Sequence, residues 1–571
     1  MRPDPHSCAD TSQPRTRHVD VDLRPDFGAR TVRAETTLHL SDAGQGPFDL
    51  DTRGLVVESV ESAEGKPLRY ELSRAQPILG ARLRVELPEG TRAVRIRSTT
   101  ARDATALQWL EPGQTAGMKR PFLYSQCQPI HARSILPLQD TPAIRITYRA
   151  RLHAPEGLRA LMAAARRAPD EFEMPQPIPP YLIAFAVGDL ESRELSPRSA
   201  VWAEPSVVAG AAWEFAEMER IIAAAEALFG GYAWERFDVL VLPPSFPYGG
   251  MENPRLAFLT PSVVAGDRSL VNVVAHELAH AWTGNLVTNR SANDFWLNEG
   301  FTVYAERRIL EMLEGRDRSE LHAAVGRQDL AVALRRFEAR PELTRLRNDL
   351  AGIDPDEAYS SVPYEKGYLL LRHLEEKVGR APWDAFLREY LDRFRFQSLA
   401  TQDFLDFLED RLPGAAERAD VLRWVDAPGL PDDAPVPRAE RLDELLVLAG
   451  KGEVPDQADP TELLLYLHAL RTPSPATCEA VEARYQIAKR RSFELRTAFA
   501  VAQLRAGMAE GVEEARRIAL AIGRMKFLRG IYVELHRNPA TRSRAKEIFE
   551  EAKGSYHPIA AQVIEGILRG N

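Results

Sequence analysis

Cysteine is scarce in this chain: of 571 residues, only Cys8, Cys127 and Cys478 are cysteines. They are odd in number, far apart and never in a Cys-x-x-Cys pair, which argues against a disulfide framework and favours a reducing compartment. Long apolar runs are missing too. The opening residues, Met1-Arg2-Pro3-Asp4-Pro5-His6, carry no apolar stretch of the kind a secretory leader needs. No segment reaches the roughly 18 apolar residues that span a bilayer. Nor is there an excess of positive charge. The formal net charge is -9, so the basic face of a general nucleic-acid binder is not expected, and nothing favours a membrane surface. A cytoplasmic protein is the expectation.

What is present is an ordinary globular composition, 44% hydrophobic and 27% charged. The length suits three or four domains at roughly 100–200 residues each, with a core large enough that neither metal nor disulfide is needed for folding. The first third alternates with a period of two. Val32, Ala34, Thr36, Leu38 and Leu40 form one such run; Ala81, Leu83, Val85 and Leu87 form a second, and Ile144, Ile146, Tyr148, Ala150 and Leu152 a third. These are strands with one buried face, and no helical pattern separates them. An antiparallel sheet or sandwich over residues 1–190 is expected. From 211 to 229 helix formers dominate up to Gly230-Gly231. Phe237 to Leu242 reads as a strand, and a helical region extends from 268 to about 425. Residues 426–438 hold four prolines and one glycine, the composition of an extended linker. Beyond it, residues 439–571 read as helices. Asp459-Pro460-Thr461-Glu462 supplies an N-cap, a first-turn proline and a third-position glutamate, and Pro473 and Pro475 end that helix. The spacing of the later helices suggests paired helices in a curved, HEAT- or armadillo-like stack, without an exact repeat. The expected domains are thus 1–190, 191–425 and 439–571, joined by a linker at 426–438.

Residues 276–280 read His-Glu-Leu-Ala-His. On a helix, positions four apart share a face, so His276 and His280 can reach one tetrahedral zinc ion. Glu277 projects along the same cavity and is free to take a proton from water as a general base. A third ligand is available in Asn298-Glu299-Gly300, after 18 intervening residues. Two histidines and Glu299 leave one position open, the arrangement of a catalytic site. A structural site would be closed by cysteines, and none is near.

Upstream lies Phe246-Pro247-Tyr248-Gly249-Gly250-Met251-Glu252-Asn253-Pro254. Its large apolar side chains sit oddly in a solvated loop; a segment bordering a cleft, with Glu252 offered to a cation, accounts for them. Together with His-Glu-x-x-His-x18-Glu, this segment resembles the gluzincin zinc aminopeptidases, of the leukotriene A(4) hydrolase and aminopeptidase B type. The likeness extends through Ala106–Leu110, Ser125–Gln128, Thr283–Asn289, Asp354–Gly367 and Gly523–Phe527, and so covers nearly the whole chain.

The resemblance implies a thermolysin-like, mainly helical catalytic domain between the β domain and the all-α domain, one zinc ion per chain, and release of the N-terminal residue from short peptides. It implies that Glu252 binds the free α-amino group. Gln126, Cys127, Gln128, Pro247, Tyr248, Gly249, Gly250 and Met251 would line the pocket. Tyr364 would donate to the oxyanion, and Asp356 and Tyr359 would line the cleft, with Asp356 able to favour a basic N-terminal residue. Arg524, Met525 and Lys526 would form the far end, where the two cations hold a peptide's C-terminal carboxylate. Read alone, Tyr359 and Tyr364 are two packed tyrosines, Arg524 and Lys526 a solvated basic turn, and Gln126 to Gln128 carry no signal. Arg524 and Lys526 stand two apart and can converge only near a helix terminus. Two departures weigh against a lipid epoxide substrate: Ala292 where a tunnel tryptophan is expected, and Phe301 in place of a histidine. Lipid epoxide hydrolysis and a non-catalytic zinc-binding role are the alternatives. A monomer without nucleic-acid or membrane partners is expected.

Overall fold

The structure is a computed structural model that describes residues 4–10 and 12–570. The period-two segments form a large twisted sheet. Its strands run in the order Ala165–Ala168, Glu171–Ile178, Ile146–Leu152, Thr16–Asp26, Thr31–Thr52, Ala81–Thr99, Val56–Ser62, with Tyr70–Leu72 also on Ala81–Thr99. Inward positions such as Leu23, Val32, Leu38, Leu83 and Val85 are buried. The expected antiparallel arrangement needs one correction: Thr16–Asp26 and Ile146–Leu152 pair in parallel, with Val21 opposite Ala150. A parallel neighbour requires a long crossover. The chain provides one, because it builds Leu107–Leu110 and Phe122–Ser125 before it returns. Those two strands join Phe185–Gly188 and Arg159–Met162 in a second, four-stranded sheet.

A third sheet of five strands runs Glu191–Ser196, Ser199–Ala203, Asp238–Val241, Leu256–Leu259, Gly250–Met251. Asp238–Val241 lies where the apolar run predicts a strand. The edge pair Gly250–Met251 is antiparallel to Leu256–Leu259, with Met251 opposite Phe258.

The helical reading of residues 211–229 is corrected to two helices, Val208–Glu214 and Met218–Phe229. The break follows Glu214, whose buried carboxylate accepts the amides of Gly266 and Arg268, both at 2.8 Å. The region from 268 to 425 is likewise not uniformly helical. Its main helices are Val271–Ala279, Trp296–Glu314, Arg316–Arg336, Gly367–Val378, Arg380–Arg393 and Thr401–Arg411, and a small parallel ladder joins Val287–Asn289 to Gln397–Leu399. The proline-rich segment is irregular, as its composition requires, yet it is pinned. Lys366 Nζ donates to the carbonyls of Thr344 (3.0 Å) and Ala427 (2.8 Å), and Arg327 donates to that of Pro435 (2.9 Å).

Beyond it, the helices pack in pairs. Asp459 caps Pro460–Ala469 by accepting the amides of Thr461 and Glu462, and Glu462 accepts from Asp459 N at 3.2 Å. That helix stops at Ala469, short of Pro473, and Pro475 opens the next helix, Pro475–Tyr485. Among the described residues no helix is long and apolar enough to cross a membrane.

Trp296–Glu314 is the central strut, buried along most of its length. It crosses the start of Gly367–Val378 at glycine against glycine. A Cβ on Gly300 would stand 2.7 Å from the Gly367 Cα and 3.0 Å from the Pro363 carbonyl oxygen. These are backbone atoms and cannot swing aside. Gly300→Ala is therefore expected to destabilise the protein by about 1–3 kcal/mol, the usual range for overpacking. Thermal melts in the presence of chelator check this, and an unchanged midpoint would show that the crossing relaxes freely.

Candidate metal centre and cleft

Two helices present the metal-binding side chains. Val271–Ala279 carries His276 and Glu277 and ends on His280; Trp296–Glu314 crosses it and carries Glu299. The His276 and His280 Nε2 atoms lie 3.2 Å apart, and Glu299 Oε2 lies 3.4 Å from the first and 3.5 Å from the second. A tetrahedral ion with bonds of about 2.0–2.1 Å has ligands about 3.3–3.4 Å apart, which is this triangle. The outer ring nitrogens are already used. His276 Nδ1 meets Glu306 Oε2 at 3.1 Å, and His280 Nδ1 meets the Thr283 carbonyl and Thr302 Oγ1, each at 3.1 Å. Such partners leave both inner nitrogens to a cation. Glu299 Oε2 is buried without a hydrogen-bond donor. This donor set fits zinc.

The electrostatics agree. Burial opposes ionisation of Glu299, but the imidazoles of His280 and His276 outweigh it and hold the carboxyl at about 2. Burial would likewise lower His276; Glu299 and Glu306 reverse that and hold it well above its usual range. The pocket draws positive charge. A second cluster, Glu252, Glu277 and His280, is nearly as compact. There, however, Glu252 Oε1 is occupied by amide donors from Gln128 (3.1 Å) and Asn298 (3.3 Å).

Glu277 faces the edge strand. A Cβ on Gly250 would lie 2.2 Å from Glu277 Oε1, so only glycine lets the strand pass this carboxylate. Burial pushes Glu277 up to about 7, a range suited to exchanging protons near neutrality. Tyr364 sits in a π-helical turn, Val362–Lys366. Its ring stacks on His276 with centroids 6.1 Å apart, and its hydroxyl donates to that of Tyr359 at 3.3 Å. Burial raises Tyr364 well above the usual phenol range and Tyr359 to about 12. Both remain proton donors. Tyr248 packs edge-on against Tyr359.

Glu252 is buried, and no lysine or arginine pairs with it among the described residues. Burial raises its pKa, and neighbouring Glu299 adds to the effect. Gln126 donates to Met251 Sδ at 3.2 Å, which steadies the edge strand. Cys127 is buried in the same core as Met251, and Met525 in a core against which Tyr248 and Tyr359 also pack. Asp356 contacts His131 at 2.9 Å. At the far end Arg524 caps the helix Met525–Arg537 and lies against Gly249. The loop is held there by main chain, since Gly523 N donates to the Pro244 carbonyl and Met525 N to that of Pro247, both at 2.8 Å. Arg524 and Lys526 do converge at a helix terminus, on opposite oxygens of Glu494 at 3.1 and 3.3 Å. Ala292 joins a small apolar cluster with Phe337, Leu343 and Leu350, and Phe301 is core, stacked on Tyr390.

Sequence reasoning did not assign roles to Glu306, Thr302, Asn298, His131 or Glu494. The first two carried a signal, because Thr302 and Glu306 stand three and seven residues after Glu299 on one helix face. Glu494 and His131 carried none.

Known proteins match this arrangement along its whole length. Residues 16–178 match the peptidase M1 N-terminal domain, 213–426 the peptidase family M1 domain, and 459–568 the C-terminal domain of leukotriene A4 hydrolase. The chain is 36% identical to a leukotriene A-4 hydrolase of Xenopus laevis, with 98% of each chain covered, and 35% identical to leucine aminopeptidase 2 of Sclerotinia sclerotiorum, with both fully covered. Its structure superposes on yeast leukotriene A4 hydrolase in complex with bestatin with a TM-score of 0.93 at 33% identity, covering 100% of this chain and 97% of that one. The two-helix metal centre and the three-part architecture are therefore those of a known group, and the chain belongs to peptidase family M1, as a zinc aminopeptidase with leukotriene A4 hydrolase-like domains.

Proposed function

We propose that this aminopeptidase removes the N-terminal residue from short peptides in the cleft between Glu252 and Arg524. The observation that carries the reading is Glu252: a buried carboxylate without a cationic side-chain partner, beside the metal centre, where an ammonium group completes its charge balance. His276, His280 and Glu299 hold one zinc. When bound, zinc supplies Lewis acidity toward a water and a peptide carbonyl. Glu277 takes the proton from the attacking water and passes it to the leaving amine. The Tyr364 hydroxyl donates to the developing oxyanion. Gln128 helps to orient Glu252, and Pro247 to Met251 give the peptide an edge to lie along. Tyr359 and Asp356 border the side-chain pocket.

At the other end Arg524 and Lys526 receive the C-terminal carboxylate, and this sets the upper length of the substrate. The domains are proposed as 1–190, 191–425 and 439–571 with the linker at 426–438; a boundary near 190 is supported by the third sheet starting at Glu191. We infer a cytoplasmic monomer without nucleic-acid or membrane partners, on the charge and cysteine content. Opening of a lipid epoxide in the same cleft is the second reading. The names of the relatives favour it; the small side chain of Ala292, packed into its own apolar cluster, does not.

Glu277→Gln is expected to lower kcat by about 10²–10⁴-fold, the usual contribution of a general base, while zinc content by elemental analysis stays at one per chain. His280→Ala is expected to lose the metal. Full activity in Glu277→Gln would remove the assigned base. A tripeptide with an amidated C-terminus is expected to show KM raised about tenfold or more over the free acid, the loss of roughly one charge-assisted hydrogen bond. Equal KM values would remove Arg524 and Lys526 from substrate binding.

A further inference from the structure

His131 belongs to the N-terminal region, 225 residues before Asp356. Its backbone is fixed: the amide donates to the Cys127 carbonyl at 2.8 Å, and its own carbonyl accepts from Ser134 Oγ at 2.8 Å. Its ring is held at both nitrogens, with Nδ1 at 2.9 Å from Thr105 Oγ1 and Nε2 at 2.9 Å from Asp356 Oδ2. The side chain is 5% exposed, and that of Asp356 22%.

A carboxylate only accepts, so the ring must carry its hydrogen on Nε2. Nδ1 rests against the Thr105 hydroxyl, which can donate or accept. The chain of contacts Thr105 to His131 to Asp356 holds the ring from both sides. It occupies Asp356 Oδ2, and among the described residues no donor is placed on Oδ1. Asp356 is also fixed along the chain, since its amide donates to Asp354 Oδ1 at 3.1 Å. The exposed part of the carboxylate is thereby carried on a rigid support.

We propose that His131 is a positioning residue for substrate selectivity: it aims the Asp356 carboxylate so that its free oxygen meets a cationic side chain on the N-terminal residue of the peptide. The inference rests on the reading of Asp356 as a wall of that side-chain pocket. A freely rotating carboxylate would spread its charge over several orientations and lose part of the directional hydrogen bond that separates arginine or lysine from a neutral residue.

The test compares arginyl and alanyl chromogenic amides on the zinc-loaded enzyme, as the ratio of their kcat/KM values, in wild type and in Asp356→Asn, His131→Phe and His131→Asn. Asp356→Asn is expected to lower the ratio about tenfold or more. His131→Phe is expected to lower it several-fold, mainly through KM for the arginyl substrate. His131→Asn, which retains an N–H donor, is expected to recover part of the loss. Alanyl turnover stays within about twofold in both His131 variants. If His131→Phe does not fold, Thr105→Val withdraws the hydroxyl behind the ring and is expected to move the ratio in the same direction. An unchanged ratio in Asp356→Asn overturns the pocket reading and this inference with it. A lowered ratio in Asp356→Asn, with wild-type ratios in the His131 and Thr105 variants, overturns the inference alone.

Discussion

Three lone pairs face one another at 3.2–3.5 Å inside the protein, two on imidazoles and one on a carboxylate. Left to themselves they would not converge there. Desolvation opposes the charge on Glu299, and among the described residues its inner oxygen has no hydrogen-bond donor. The surroundings impose the arrangement: Glu306, Thr283 and Thr302 fix the rings from behind, and the Gly300–Gly367 crossing fixes the helix that carries Glu299. Stability spent on this centre is recovered when a cation enters, because a ligand that binds only the folded state adds its binding energy to folding.

Charge is distributed along the cleft in a way that sets a direction. One end holds Glu252, with neutral amide partners only. The other holds Arg524 and Lys526, but their charge is shared with Glu494. Burial opposes the Glu494 charge, and Lys526 and Arg524 outweigh it and keep the carboxyl low. Lys526 also approaches Asp329 at 3.7 Å. On the proposed function, an incoming carboxylate would meet cations that are already oriented and partly balanced, which favours selectivity over raw attraction.

The chemistry was legible in the sequence where it is local. Positions four apart on a helix necessarily share a face, so His276 and His280 could be paired without a structure, and the strand alternation of Leu83 and Val85 shows in their burial. The Asp459 cap could be read from four consecutive residues. What could not be read is held together across distance. Glu494 stands 30 residues from Arg524, and no local pattern links them. The parallel pairing of Thr16–Asp26 with Ile146–Leu152 depends on where the chain returns after a second sheet. The helix break after Glu214 lies inside a run of helix formers, and no local residue marks it.

The loop beside Arg524 is tied to the C-terminal helices by amide-to-carbonyl bonds from Gly523 and Met525. Main-chain bonds are indifferent to side-chain identity. Drift in composition at residues 244–247 leaves this wall of the chamber where it is, whereas an inserted or deleted residue displaces it. The placement of this loop against the C-terminal helices is encoded in segment length rather than in side-chain chemistry.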